Sequence, residues 1–421
     1  MYHRLHALCP FAALIAVAAV ASAVVISRRP DAFNYPQFYA EDGTCWFADA
    51  YVKGAWQALF ISYQGHFLLQ TRLVALIAMP FGVLNAPLVY NLSGLAIQIA
   101  PVVFFMSNRF RKVAPSIWVR AALCGVYLLI PSGELQISNN DAQFHLAVLA
   151  ALVLIAPPSP RWWGRAFDVA TVAFCALTGG CVFVLVVAAV IWCWVRRQRW
   201  TVVLSGVLFV GFAAQLYSLA LATRLPATLG SGPLDMAKDL LFIGSDRVIL
   251  AGVFAEEAHT HVFVNGLPHG AVLAAAICLV GLAVVAFAAL RAPWELRLFA
   301  LIGFGIAAAG LASPLVPAGT KAWDILAAGG DDRYFFMAEV AWVVIVLWAL
   351  GQLPRRWLRA GSFSLVAAAF VSGLVVAWQY PAFVNYHWPQ ESAEITSAGP
   401  DAHLSLPINP PSWQLLLPPD C

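Results

Sequence analysis

Apolar runs recur almost end to end along the chain, separated by short polar stretches, and their lengths match the thickness of a bilayer. A hydrocarbon core of about 30 Å takes roughly 20 apolar residues in helical form. On that measure spans are expected near 8–26, 86–106, 116–131, 143–156, 166–179, 181–195, 200–222, 270–290, 298–316, 334–352 and 362–379. The pattern predicts an all-α polytopic membrane protein of about eleven transmembrane helices. The first run, Leu8 to Ile26, follows His3, Arg4 and His6 and ends near Ala21-Ser22-Ala23, as a signal peptide would. It is long for a signal sequence and long enough to span, so it is expected to remain as the first anchor.

Basic residues orient these spans. Arg109-Arg111-Lys112, Arg161/Arg165, Arg196-Arg197-Arg199, Arg291/Arg297 and Arg355-Arg356-Arg359 fall in alternate loops, and the positive-inside rule makes all five cytoplasmic. The alternation holds only if His66–Leu84 does not cross. That stretch carries Gln70 and Arg72 and breaks at Pro80, which suits an interfacial helix. Phe47–Phe60, with Lys53 and Trp56, has the same mixed character. Arg28 and Arg29 land outside, as exceptions to a statistical rule. The outer face then owns the long loops 27–85, 132–142, 223–269 and 317–333, together with a short tail, 380–421, after a membrane domain of 1–379. Function is expected on that face.

Composition agrees with this picture. Hydrophobic residues make up 62% of the chain and charged residues 11%, with a mean hydropathy of +0.79. A soluble domain carries about 25% charged residues, so a lipid-facing surface is required. The net charge of +3, without a block of like charges, excludes a nucleic-acid tract. The eight cysteines show neither a CxxC pair nor zinc-ligand spacing. Cys124, Cys175, Cys181, Cys193 and Cys278 lie in apolar runs as small hydrophobes. Cys45 and Cys421 both fall on the outer side, where an oxidising compartment permits a disulfide. A bridge would tie the tail over the first outer loop; the alternative is two unpaired thiols. With Pro407, Pro410 and Pro411 and little periodicity, the tail is not expected to hold its position through secondary structure alone.

Candidate chemistry lies in three outer loops. The first reads Phe38-Tyr39-Ala40-Glu41-Asp42-Gly43. Adjacent carboxylates beside a membrane span suit a general base or a divalent-cation site, whereas a solvated Asp-Gly turn is the plainer alternative. The second loop carries Glu134, Asn140, Asp141 and His145, of which Asp141 alone fits a helix cap. The third ends Gly329-Gly330-Asp331-Asp332-Arg333-Tyr334. There Arg333 could bind phosphate through its planar fork, assisted by Lys321, or could merely snorkel beside an interfacial Tyr334. The loop 223–269 holds Asp246, Arg247, Glu256, Glu257, His259, His261 and His269, of which His259-Thr260-His261 is too sparse for a metal site. Internal repeats and Walker, GxSxG and HExxH motifs are absent from the sequence.

These motifs, in this order, resemble those of the GT-C superfamily of membrane glycosyltransferases, which use polyprenyl-phosphate-linked sugars on the outer face of a membrane. Glu41-Asp42-Gly43 is similar to the acidic motif of their first outer loop, and 47–84 to the interfacial helices that follow it. Asn140-Asp141 resembles their second acidic site, and Arg333-Tyr334 the basic residue near the lipid phosphate. The likeness covers residues 1–350 as architecture. It implies an inverting transferase in which Asp42 takes a proton from the acceptor hydroxyl. Glu41 or Asp141 would orient the acceptor or hold a divalent cation such as Mg or Mn. Arg333, Tyr334, Lys321, His145 and Asn140 would bind substrate. The implied partners are a polyprenyl-phosphate sugar donor, a lipid or glycan acceptor and the bilayer, with no nucleic acid. A lipid or glycan acceptor is favoured because only a short tail follows the last span. The implied location is a plasma membrane, such as a bacterial inner membrane, with the site facing the periplasm or exterior. A transporter or flippase for a lipid-linked saccharide is the competing reading. It would place ionisable residues within spans, and Glu339 is the main candidate.

Overall fold

The computed structural model describes residues 2–130, 134–222, 228–230, 232–254, 269–315, 320–419 and 421. Its main helices are α1 (Tyr2–Arg28), α2 (Leu69–Ala78), α3 (Gly82–Met106), α4 (Ile117–Leu129), α5 (Ala142–Ile155), α6 (Trp162–Ala176), α7 (Cys181–Arg196) and α8 (Arg199–Leu221). They continue with α9 (Pro233–Phe242), α10 (Gly270–Arg291), α11 (Trp294–Ala312), α12 (Phe336–Gly351), α13 (Arg356–Val376) and α14 (Trp388–Ala398). Every expected span coincides with a helix. Among the described residues, six helical runs are long and apolar enough to cross a membrane: α1, the continuous α2–α3 run, α8, α10, α11 and α13. The other expected spans, α4 to α7 and α12, have 13 to 16 residues. At 1.5 Å per residue they reach only about 20–24 Å, short of the full hydrocarbon thickness.

The chain divides into two compact units. The first comprises Met1–Arg109, Leu135–Arg224 and Gln379–Cys421, and the second Phe110–Glu134 and Leu225–Trp378. In the first unit α5 is buried along almost its whole length and packs against α3, α6 and α7. Basic loops gather at one end of this bundle. There Arg109 pairs with Asp168 and donates to the Pro157 carbonyl, while the Trp200 indole donates to Asp168 (3.3 Å). At the opposite end the first loop lies across the bundle. Leu69 N donates to Leu177 O (3.0 Å), Gly179 N to Phe67 O (2.8 Å), and Gly65 packs against Leu219 and Ala222.

Helix α2 begins at that loop end and returns to it. Ten residues give it about 15 Å, and the Met79–Phe81 turn delivers the chain directly into α3. The expected break at Pro80 is present, but α2 does not lie on a surface: Gln70, Thr71, Arg72, Val74, Ala75 and Ala78 are buried. Arg72 is not solvated: it is buried, paired with Asp49 (2.6 Å) and stacked over Trp46 at 4.6 Å. Arg28 and Arg29 are also buried. Their guanidinium groups lie over Tyr380 (4.7 Å) and Phe383 (4.2 Å), respectively. They are packing groups of the tail junction, which explains their exception to the charge rule.

The tail departs from expectation. It forms α14 and an antiparallel hairpin, β1 (Leu404–Ile408) with β2 (Trp413–Leu417), pairing Leu404 with Leu417 and Ile408 with Trp413. Leu406, Ile408, Leu415 and Leu417 face inward, into a core shared with Phe38, Trp46, Phe47 and Tyr90. Cys45 and Cys421 form a disulfide, with Cα atoms 5.8 Å apart.

In the second unit α12 is the buried centre. Gly303 of α11 lies so close that a Cβ there would sit 2.6 Å from the Met337 carbonyl oxygen. The Trp342 indole donates to Ile249 O (3.1 Å), fixing α12 to the irregular turns after α9.

Candidate functional site

The acidic motif sits in the first unit on a strained segment. Ala40 occupies the left-handed region (φ 48°), which costs a non-glycine residue about 1–2 kcal/mol. The hairpin holds it there: Ala40 N donates to Asn409 O (2.5 Å), and Asn409 N donates to Phe38 O (3.3 Å). Asp42 then opens a π-helical turn, Asp42–Phe47, a form that recurs at functional sites. Gly43 lies inside this turn, so the solvated Asp-Gly turn is not what forms. A Cβ on Gly43 would approach Phe38 Cβ at 2.9 Å and Ile408 Cδ1 at 3.0 Å.

The second loop meets the first from below. Residues 135–141 are buried and lie against the middle of α3. Gly94 makes the approach possible, since a Cβ there would sit 2.7 Å from Ile137 O. Gln98 secures it by donating to Gln136 Oε1 (3.0 Å) and accepting from Ile137 N (3.1 Å). Gly94 is twelve residues into α3, about 18 Å along its axis. The segment is non-helical and is buried by protein against α3, which shields its backbone polar groups.

Two parallel amide relays join the loops. Asn139 Nδ2 donates to Asp42 Oδ1 (2.9 Å), while Gln70 Nε2 donates to Asn139 Oδ1. Asn140 Nδ2 donates to Glu41 Oε2 (2.8 Å), while Trp46 Nε1 donates to Asn140 Oδ1 (3.2 Å). Each carboxylate is therefore held by an asparagine whose orientation is fixed by a second donor. Asp42 is only 3% exposed. Burial pushes its carboxyl well above the ordinary carboxylate range, the Asn139 bond pulls it back, and the charges of Asp141 and Glu41 push it up again. In the same network Gln70 Oε1, Tyr90 Oη and Arg72 Nε are buried without a hydrogen-bond partner among the described residues.

The structure thus brings Glu41, Asp42, Asn140 and Asp141 together. Asp141 sits at the α5 N-cap without a capping bond from its side chain, and its carboxylate lies instead at 3.5 Å from Ser138 Oγ and Asn140 Nδ2. His145 is turned into the second loop, donating from Nε2 to Leu135 O (3.3 Å). Asn139, Gln70, Trp46 and Arg72 were not among the residues the sequence singled out for the site.

Lys321, Arg333 and Tyr334 belong to the second unit. Arg333 forms an ion pair with Asp331 (2.7 Å) and is partly exposed. The Tyr334 hydroxyl accepts from Leu315 N (3.0 Å), and Lys321 is exposed beside a bridge to Thr228. Arg247 of the same unit pairs with Asp332. Glu256, Glu257, His259 and His261 lie outside the described residues. Among the described residues no group of three or more His, Cys, Asp or Glu side chains is placed to hold a metal ion.

No protein-family model, curated protein or solved structure matches this chain.

Proposed function

We propose that the protein is an inverting glycosyltransferase of the GT-C type, with eleven crossings and its site on the outer face of the membrane. The donor is a polyprenyl-phosphate sugar and the acceptor a lipid or glycan hydroxyl. One observation carries this reading: the acidic motif of the first loop and the Asn-Asp motif of the second meet in one buried cluster, joined by the Asn139–Asp42 and Asn140–Glu41 hydrogen bonds. A desolvated carboxylate of raised proton affinity is suited to a general base. Asp42 would accept the acceptor hydroxyl's proton as that oxygen attacks the anomeric carbon and the sugar–phosphate bond breaks. Asn139 would keep the Asp42 carboxylate aligned, and Glu41 with Asn140 would orient the acceptor. The unpartnered Gln70 Oε1 and Tyr90 Oη are groups that a hydroxylated ligand would satisfy. The leaving phosphate needs a cation, a role that a guanidinium suits by its planar fork. The Cys45–Cys421 disulfide supports an oxidising compartment on the loop side.

Reconstitution in liposomes with a polyprenyl-phosphate sugar and a lipid acceptor tests this reading, with products read by mass spectrometry. Transfer is expected. Translocation of intact donor without transfer would favour the flippase instead.

A further inference from the structure

The end of the first unit remote from Asp42 carries a second concentration of polar chemistry. Arg161, Arg165, Arg197 and Arg199 are exposed there, and none forms an ion pair among the described residues. Asp168 is the sole acidic residue in 104–116, 155–168 and 194–201, and it is buried under Arg109 and Trp200. Among the described residues, none at this end forms an ion pair with the four guanidinium groups. Two of them are held by aromatic rings: Arg165 lies over Trp200 (5.6 Å) and Arg161 over Trp163 (5.4 Å). The Arg165–Trp200 contact places the start of α6 beside the start of α8, so the cations form one patch.

The patch continues into exposed apolar surface. Trp162 is 80% exposed and Trp194 70% exposed, and Val190 and Val187 carry the surface along α7 from Trp194. On α8, Val202 and Val203 follow Arg199. A ligand matching both halves needs an anionic head and an acyl tail. Free inorganic anions match only the first half.

We propose that this patch is a binding site for an anionic phospholipid, its phosphate held by Arg161, Arg165, Arg197 and Arg199 and its acyl chains lying against α7 and α8. The site is independent of the transferase reading. Trp162 and Trp194 are exposed indoles, which partition at headgroup level, and juxtamembrane arginines attract anionic headgroups over about a Debye length.

The test uses the purified full chain in mild detergent, titrated separately with phosphatidylglycerol, phosphatidylcholine and inorganic phosphate. Bound lipid is counted by native mass spectrometry, and thermal midpoints are recorded alongside. Phosphatidylglycerol should bind at least ~tenfold more tightly than phosphatidylcholine, raise the midpoint, and lose its preference in high salt. The variant R161Q/R165Q/R197Q/R199Q should bind both lipids alike. If that variant does not purify, R161Q/R165Q and R197Q/R199Q are compared separately, and each should lose part of the preference. Equal binding of the two lipids by the wild type would overturn the proposal, as would a preference retained in the variants. An equal midpoint shift with inorganic phosphate would overturn it too, by showing an anion site rather than a lipid site.

Discussion

Asp42 combines a buried carboxyl with an amide donor, and the two act on its proton affinity in opposite directions. Burial is the larger, so the folded-state pKa lies above the unfolded value of about 3.9. A carboxyl raised in this way stabilises the fold below the unfolded pKa, and that contribution is lost as pH rises through the folded pKa. Asp42→Asn removes the titration. Its thermal midpoint at neutral pH should equal or exceed that of the wild type, and the gap should close as pH falls towards the unfolded value. Melting curves across that range check this; a midpoint well below wild type at neutral pH would mean that the ionised carboxylate is structurally required. The sequence made Glu41, Asp42, Asn140 and Asp141 visible because polar runs beside apolar spans are conspicuous. Gln70, Trp46 and Asn139 were hidden because each acts through a contact 69 to 97 residues away in the chain. A run of two asparagines before α5 was the available signal for Asn139.

The elements that shape the site are a buried loop, a π-helical turn and a hairpin. Gly94→Ala should drive the Ile137 carbonyl away from α3 and carry Asn139 with it. An overpacking cost of about 1–3 kcal/mol is expected, measured as a lower thermal midpoint, with loss of any transfer activity. Unchanged stability and activity would show that the loop can give way without moving the amides. The disulfide tethers β2 to the π-helical turn, with Thr44 Oγ1 donating to Gln414 O (2.9 Å) beside it. Reduction should reveal two thiols that are absent from Cys45→Ser/Cys421→Ser, and losing the bridge should cost about 2–5 kcal/mol. Identical thiol counts before and after reduction would exclude it. Prolines at 407, 410 and 411 concealed the hairpin, yet Leu404, Leu406 and Ile408 keep the two-residue period of a strand with one buried face. Pro407 is tolerated because it faces outward on a two-stranded edge.

At the scale of the whole chain, the alternation of basic loops was legible because lipid removes the other ways of placing charge. The first unit bears it out geometrically, with Arg109, Arg161, Arg165 and Arg196–Arg199 at one end and the acidic loop at the other. Single cysteines introduced at the exposed positions Gln64 and Gln198, in a background lacking the other free thiols, should label from opposite sides of a sealed membrane. Labelling of both from one side would contradict this topology. The number of crossings was less legible, because several of the expected spans form helices of only 13 to 16 residues, shorter than the apolar runs suggest.

The central claim is that Asp42 is the base of a sugar transfer, and the rate of transfer in liposomes with and without that carboxylate tests it most directly. Wild-type protein given a polyprenyl-phosphate sugar should form product, and correctly folded Asp42→Asn should be slower by roughly 10²–10⁴-fold. Turnover by Asp42→Asn near the wild-type rate would contradict the assignment.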